Sequence, residues 1–249
     1  MGGDPNIDLA CITSTIVTSW REAWRAPAAP FFFVQLPAYT RENNTELAAG
    51  REAQLVVADT VPGVGYAVTV DLGDAYIVCN PGTPPSCYDG SIHNRDKDLV
   101  ADRLASAVLT GAYGAPPSLA PRYAAAAQAG DSTVRVTFAP AALPPAALPL
   151  VLAPPEFASN SSWCPNDGGP RRVLAESCGW FSVLYSDGAW RNASVAIAPS
   201  GDAILLTTSN SSGLTALATS NGWADWPVVS VYTSTGLPIV PWGPRNVSS

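Results

Sequence analysis

Gly63-Val64-Gly65-Tyr66-Ala67-Val68-Thr69-Val70-Asp71-Leu72 is the stretch that decides the fold. It is short, almost continuously apolar and rich in valine. Asp71-Leu72-Gly73-Asp74 closes it. Such a run predicts a strand covered on both faces, as in a parallel sheet packed between helices. Working upstream, Phe31-Phe32-Phe33-Val34-Gln35-Leu36 is a second run of the same kind. Between the two, Glu46 to Val56 reads as a helix. Before them, Ile12 to Trp24 reads as another, with Thr13 or Ser14 as its cap and Pro27 and Pro30 beyond its end. Ile16, Trp20 and Trp24 recur every four residues and share one face, which we read as core packing. Downstream, a helix begins after Asn94, which is placed to cap it, with Asp96 and Asp98 in the first turn complementing the dipole. Val100, Leu104, Ala107 and Val108 form its inner face, and Gly111 and Gly114 stop it. Helix, strand, helix, strand, helix is the alternation of an α/β layer.

The pattern changes at Ala115-Pro116-Pro117, where a domain boundary is predicted, giving 1–114 and 115–249. Ser132 to Phe138 alternates as a strand. Ala139 to Pro155 is rich in Ala, Pro and Leu, and its prolines exclude a regular helix or a central strand. Trp180 to Tyr185, Ala193 to Ala198 and Ala203 to Thr208 are short runs between Asp-Gly, Ser-Gly and Asn-Ser turns. That spacing predicts an all-β, sandwich-like second domain.

Composition bounds the function. The 249 residues are 47% hydrophobic and 13% charged, enough to bury a core. A net charge of −7, and a single adjacent basic pair at Arg171-Arg172, argue against nucleic acid as a partner. Prolines interrupt the longest apolar run, so no membrane span is expected. The five cysteines suggest an oxidising compartment: Cys79 with Cys87, and Cys164 with Cys178, have spacings that suit local disulfides, and Cys11 is left over. A metal site of Cys79, Cys87 and His93 fits no zinc spacing, so neither metal nor cofactor is expected. Asn-x-Ser/Thr sequons at Asn43, Asn160, Asn192, Asn210 and Asn246 favour a secreted or lumenal protein. Met-Gly-Gly-Asp at the start is no signal peptide. The odd cysteine, the sequons and that start together read as the C-terminal part of a longer protein.

The residues that carry chemistry lie in Asp89-Gly90-Ser91-Ile92-His93-Asn94-Arg95-Asp96-Lys97. His93 is the only histidine. A lone histidine is often an ordinary surface residue. This one sits beside carboxylates, after a buried strand and before a helix, where groups for acid–base work collect in α/β sheets.

Several segments, in this order, resemble the sialate O-acetylesterases, a branch of the SGNH-type serine hydrolases. They are Trp20-Arg21-Glu22-Ala23-Trp24 with Pro30 to Pro37, Arg51-Glu52-Ala53-Gln54, Ala67 to Asp74, and Ser91 to Lys97 with Asn94 in place of a proline. Asp187-Gly188-Ala189-Trp190, Trp223 to Pro227 and Gly236 to Pro241 follow. The resemblance implies a partial SGNH-type, flavodoxin-like parallel sheet followed by a β-domain, and hydrolysis of O-acetyl esters on sialic acids or related sugars. It implies a serine nucleophile with His93 as its general base. Asp89 is the first choice for the acid that orients His93, with Asp71 and Asp74 as alternatives. Gly2-Gly3-Asp4-Pro5-Asn6 resembles the family's oxyanion segment, which implies donor roles for Gly3 and Asn6. The family's Gly-x-Ser nucleophile segment has no counterpart here. Ser91 lies close to His93 but is not the family's nucleophile. The resemblance therefore implies a partner that is the missing N-terminal half, and an unpaired strand edge at Phe31–Leu36 or Val64–Leu72. The other class of reading is a non-catalytic glycan-binding or structural β-domain, in which Trp223, Trp226 and Trp242 could stack on sugar rings, although we read them first as sandwich core and inter-domain packing.

Overall fold

The computed structural model describes residues 8–39, 46–73, 92–93, 96–140, 143–152, 180–225 and 227–248. The α/β part is α1 (Leu9–Ala23), β1 (Phe31–Val34), α2 (Glu46–Thr60), β2 (Val64–Ala67) and α3 (Lys97–Tyr113). β1 and β2 pair in parallel, Phe31 opposite Val64 through Val34 opposite Ala67. α1 begins earlier than its apolar pattern indicated. Asp8 is the cap, accepting from the N–H groups of Ala10 (2.9 Å) and Cys11 (3.2 Å), and not Thr13 or Ser14. α3 is capped by Asp96, whose Oδ1 accepts from the Leu99 N–H at 3.0 Å. It runs through Gly111 and ends at Gly114, which takes the left-handed conformation (φ 70°). Gly111 serves packing instead: a Cβ there would stand 3.0 Å from the Phe32 ring.

Trp20 and Trp24 are not in the core. They are 48% and 67% exposed. α1 buries only Val17 fully: α2 packs against it, while the Ile12, Ile16, Trp20, Trp24 ridge stays largely at the surface, with Trp20 touching only the Phe31 and Trp24 rings among the described aromatic residues.

The β part is β3 (Tyr123–Gly130), β4 (Thr133–Phe138), β5 (Val151–Leu152), β6 (Phe181–Tyr185), β7 (Trp190–Ile197), β8 (Ala203–Thr208), β9 (Ala216–Asn221), β10 (Val231–Tyr232) and β11 (Trp242–Asn246). The expected sandwich is replaced by one antiparallel sheet of seven strands, in the order β11-β9-β6-β7-β8-β4-β3. It curls until its edges nearly meet. Tyr123 Oη donates to the Asn246 carbonyl (2.9 Å), and the Ser248 N–H donates to the Ala126 carbonyl (2.8 Å). Near-closure removes most of the open edge a flat sheet would leave. The inward positions alternate, as a half-buried strand requires: Val134, Val136 and Phe138 on β4, and Phe181, Val183 and Tyr185 on β6. Trp242 lies at the centre of this core, against Tyr123, Phe138 and Phe181.

β5 and β10 form a separate two-stranded pair. The two parts share a second core of Leu55, Val68 and Val70 with Ala120, Val229 and Val240. Among the described residues no helix is long and apolar enough to cross a membrane.

Candidate active site

The parallel pairing places the carboxyl ends of β1 and β2 side by side, and the segments leaving them are tied together. The Gln35 N–H donates to the Ala67 carbonyl (2.9 Å), and Thr69 Oγ1 donates to the Gln35 carbonyl (2.6 Å). Gln35 is fully buried. Its Nε2 lies 3.4 Å from the Arg51 carbonyl, while its Oε1 accepts no hydrogen bond among the described residues.

Two residues of α2 fix the exit from β1. Gln54 reaches the strand as a one-residue partner would: its Oε1 accepts from the Leu36 N–H (2.9 Å) and its Nε2 donates to the Val34 carbonyl (3.4 Å). Arg51 is buried and gathers four carbonyls. It donates to Leu36 (2.8 Å) and Pro37 (3.1 Å) after β1, and to Ala224 (2.8 Å) and Asp225 (2.7 Å) near the seven-stranded sheet. Burial pushes the guanidinium down to about 10, against the opposing field of Asp225. The Arg51 to Gln54 motif is thus structural: it sets the path of the chain out of the strand and joins the two parts. Its position on a helix otherwise facing apolar core was the available sign, since a buried arginine must find acceptors.

The exit from β2 is set by a buried ion pair. Arg103 of α3 donates to both carboxylate oxygens of Asp71 (2.6 and 2.8 Å), to the Val68 carbonyl (2.9 Å), and at 3.4 Å to the Gly236 carbonyl. Both oxygens of Asp71 are therefore committed to Arg103. That weighs against Asp71 as the residue orienting His93. Arg103 was not singled out in the sequence, although it stands three residues after Val100 and four before Ala107, on the buried face of α3.

His93 is exposed on the approach to α3, three residues before the helix cap Asp96. It makes no hydrogen bond to another described residue. Asp89, Asp74, Ser91, Gly3 and Asn6 lie outside the described residues, as do Cys79, Cys87, Cys164, Cys178 and Trp226, so of the expected catalytic set only His93 is placed. Among the described residues no cluster of His, Cys, Asp and Glu could hold a metal ion. Cys11 is free and exposed. Trp242, one of the rings considered for sugar stacking, is 2% exposed and donates through Nε1 to Thr219 Oγ1 (3.3 Å). It is a core residue. Trp223 is half-buried, with its ring against Gly243.

No protein-family model matches this chain, and no curated protein sequence does. Among solved structures, a carbohydrate acetylesterase from Xanthomonas citri superposes with a TM-score of 0.65 at 20% identity. The match covers 94% of this chain and 45% of that one. Surface-layer protein SbsC, domains 1–6, matches at a TM-score of 0.30 and 14% identity, too low to bear on the fold. This chain therefore shares its fold with part of a carbohydrate acetylesterase and spans under half of that protein's length.

Proposed function

We propose that this chain is the base-supplying part of a carbohydrate-ester hydrolase of the sialate O-acetylesterase type, acting on O-acetyl groups of sialic acids or related sugars. The observation that carries the reading is the position of His93. It lies in the connection that leaves the carboxyl end of β2 and enters α3, in a fold shared with part of a carbohydrate acetylesterase, and in open α/β sheets such connections are where acid–base groups collect. In this reading His93 takes the proton of a serine as that serine attacks the acetyl carbonyl, then returns it to the departing sugar oxygen. Asp89 holds the imidazole in the productive tautomer. Gly3 and Asn6 donate to the oxygen on which negative charge develops. The serine comes from sequence outside these residues. The α/β part, 1–114, is the portion of an SGNH-type domain that carries the base, and 115–249 is a β-domain packed against it. Exposed sequon asparagines at 192, 210 and 246 support a secreted or lumenal setting.

Acetate release from an O-acetylated sialic acid and from a simple acetyl ester tests the reading, with the purified chain and with His93→Ala. The expected result is no release by either protein alone, and release once a polypeptide carrying the missing serine is added to the unaltered chain. Release by the chain alone that is lost in His93→Ala would place a nucleophile within these residues, Ser91 first. Equal release with and without His93 would overturn the assignment of the base.

A further inference from the structure

Asn192-Ala193-Ser194, on β7, is one of the sequons, and Trp190 stands two residues before it. Residues two apart on a strand share a face and lie roughly 6.6 Å from each other. Ala193 belongs to the buried core of the seven-stranded sheet. Trp190, Asn192 and Ser194 therefore all lie on the outward face, and all three are exposed. Trp190 is 44% exposed, a large ring on a face otherwise lined here by small and polar side chains such as Ser182, Ser194 and Thr207.

The position of that ring is set by the turn before it. β6 and β7 are joined through Gly188, which is left-handed (φ 79°) and donates its N–H to the Tyr185 carbonyl (2.9 Å). Arg191 is held to both carboxylate oxygens of Asp187 (3.0 and 2.6 Å). In register, Trp190 stands opposite Leu184 and Asn192 opposite Ser182. The other sequons among the described residues lack this arrangement: at the same spacing Asn210 follows Thr208, and Asn246 follows Pro244.

We propose that Asn192 is an N-glycosylation site whose first sugar, an N-acetylhexosamine, rests on the Trp190 ring. In the transfer, Asn192 Nδ2 attacks C1 of a lipid-diphosphate-linked oligosaccharide supplied by the secretory membrane. The N–C1 bond forms, the C1–O bond to the diphosphate breaks, the amide gives up one proton, and the lipid diphosphate leaves with the electron pair. A pyranose presents a face of C–H groups. The flat face of an indole is apolar and carries the negative side of the ring quadrupole, so the two attract. Covering Trp190 also takes apolar area out of water. The inference rests on the secreted or lumenal setting proposed above and is independent of the role given to His93.

The test uses the full chain, secreted from a eukaryotic cell behind a cleaved leader. Mass spectrometry of its peptides reads occupancy at each sequon. Melting temperatures are compared for the unaltered chain, Asn192→Gln, Trp190→Ala and the double variant. The expected result is a glycan on Asn192 and a melting temperature about 2–4 °C lower in Asn192→Gln than in the unaltered chain. Between Trp190→Ala and the double variant that difference is expected to shrink below about 1 °C, since the sugar has lost its partner. Trp190→Phe keeps a ring and part of the difference. The N-acetyl methyl protons of the first sugar are expected to resonate upfield in the unaltered chain and to return to their ordinary position in Trp190→Ala. All these substitutions are at exposed positions and are expected to leave the circular dichroism spectrum unchanged. Three results would overturn the proposal. One is an empty Asn192 in the secreted chain, and filled sequons elsewhere would then leave the secreted setting standing. Another is a filled Asn192 with equal melting differences in the two backgrounds and no displaced methyl signal. The last is protein isolated from its own source with every sequon empty, which would end the secreted setting as well.

Discussion

Arg51→Leu tests whether the α/β part and the seven-stranded sheet are held as one unit. The guanidinium donates to the carbonyls of Leu36, Pro37, Ala224 and Asp225, in a site where Arg51 itself is 3% exposed. Leucine supplies no donor, so the Leu36, Pro37 and Ala224 carbonyls lose the partner Arg51 gives them, while the Asp225 carbonyl keeps the Tyr39 N–H (3.1 Å). A buried acceptor left unpaired costs roughly 1–3 kcal/mol. Some of these carbonyls can be reached by water after the change, so the low end applies and the total is about 3–5 kcal/mol. That is a large share of the roughly 5–15 kcal/mol by which a domain is usually stable. Arg51→Lys keeps the charge but loses the planar fork, and is expected to cost about half as much. The assay is urea unfolding followed by far-ultraviolet circular dichroism and by tryptophan fluorescence. In the unaltered chain the two signals are expected to change together. In Arg51→Leu the midpoint falls and the two separate, as the helices and the Trp242 core come apart independently. A loss under about 1 kcal/mol with coincident curves would refute the reasoning, because it would mean these carbonyls gain nothing from Arg51.

Asp71→Leu leaves the Arg103 charge buried without its carboxylate and is expected to cost about 3–5 kcal/mol. The double change Asp71→Leu/Arg103→Met is expected to recover most of that loss, read as the melting temperature of all three proteins. Gly65→Ala brings a methyl within 2.5 Å of the Phe32 ring, and the overpacking is expected to cost about 1–3 kcal/mol by urea midpoint. Gly114→Ala, with open space around it and only its left-handed backbone to strain, is expected to cost about 1 kcal/mol. Stability is expected to fall as pH drops below about 4. Hydrogen bonds from Arg122 hold the Asp59 carboxyl below its ordinary value, and Arg191 holds Asp187 down at about 2. A carboxyl depressed in the folded state stabilises above its unfolded pKa, and that contribution is lost as pH falls through the folded value. Asp59→Asn/Asp187→Asn should flatten the acid limb of the melting-temperature profile. An unchanged limb would show that other carboxyls control it.

Local pattern carried much of the architecture. β1, β2 and α2 appear where continuous apolar runs and helical spacing put them, because those signals are complete within a few residues. β3 was not legible. Tyr123-Ala124-Ala125-Ala126-Ala127-Gln128 has the composition of a helix, and it is a strand because β4 pairs along it. β11 was not legible either: Trp242-Gly243-Pro244-Arg245-Asn246 carries a glycine and a proline, and it is a strand because it pairs with β9. The two tryptophans of α1 were misread because a four-residue spacing defines a face but not what covers it. In the candidate site, His93 could be selected by residue type and position. The roles of Arg51, Gln54 and Arg103 could not, since each depends on carbonyls far away in the chain.

The helix, strand, helix, strand, helix alternation of the α/β part was legible in the sequence alone, and the sequence also supplied the expectations of a change of character near residue 115 and of His93 as the base. Each follows from side-chain chemistry and from periodicity over a short span. Only the tertiary structure decided that the β-rich half curls into one nearly closed sheet, that Asp71 is bound to Arg103, and that Trp242 is core and Trp24 surface. These depend on which distant groups meet, and hydrogen bonding and burial are satisfied only once the chain has brought them together.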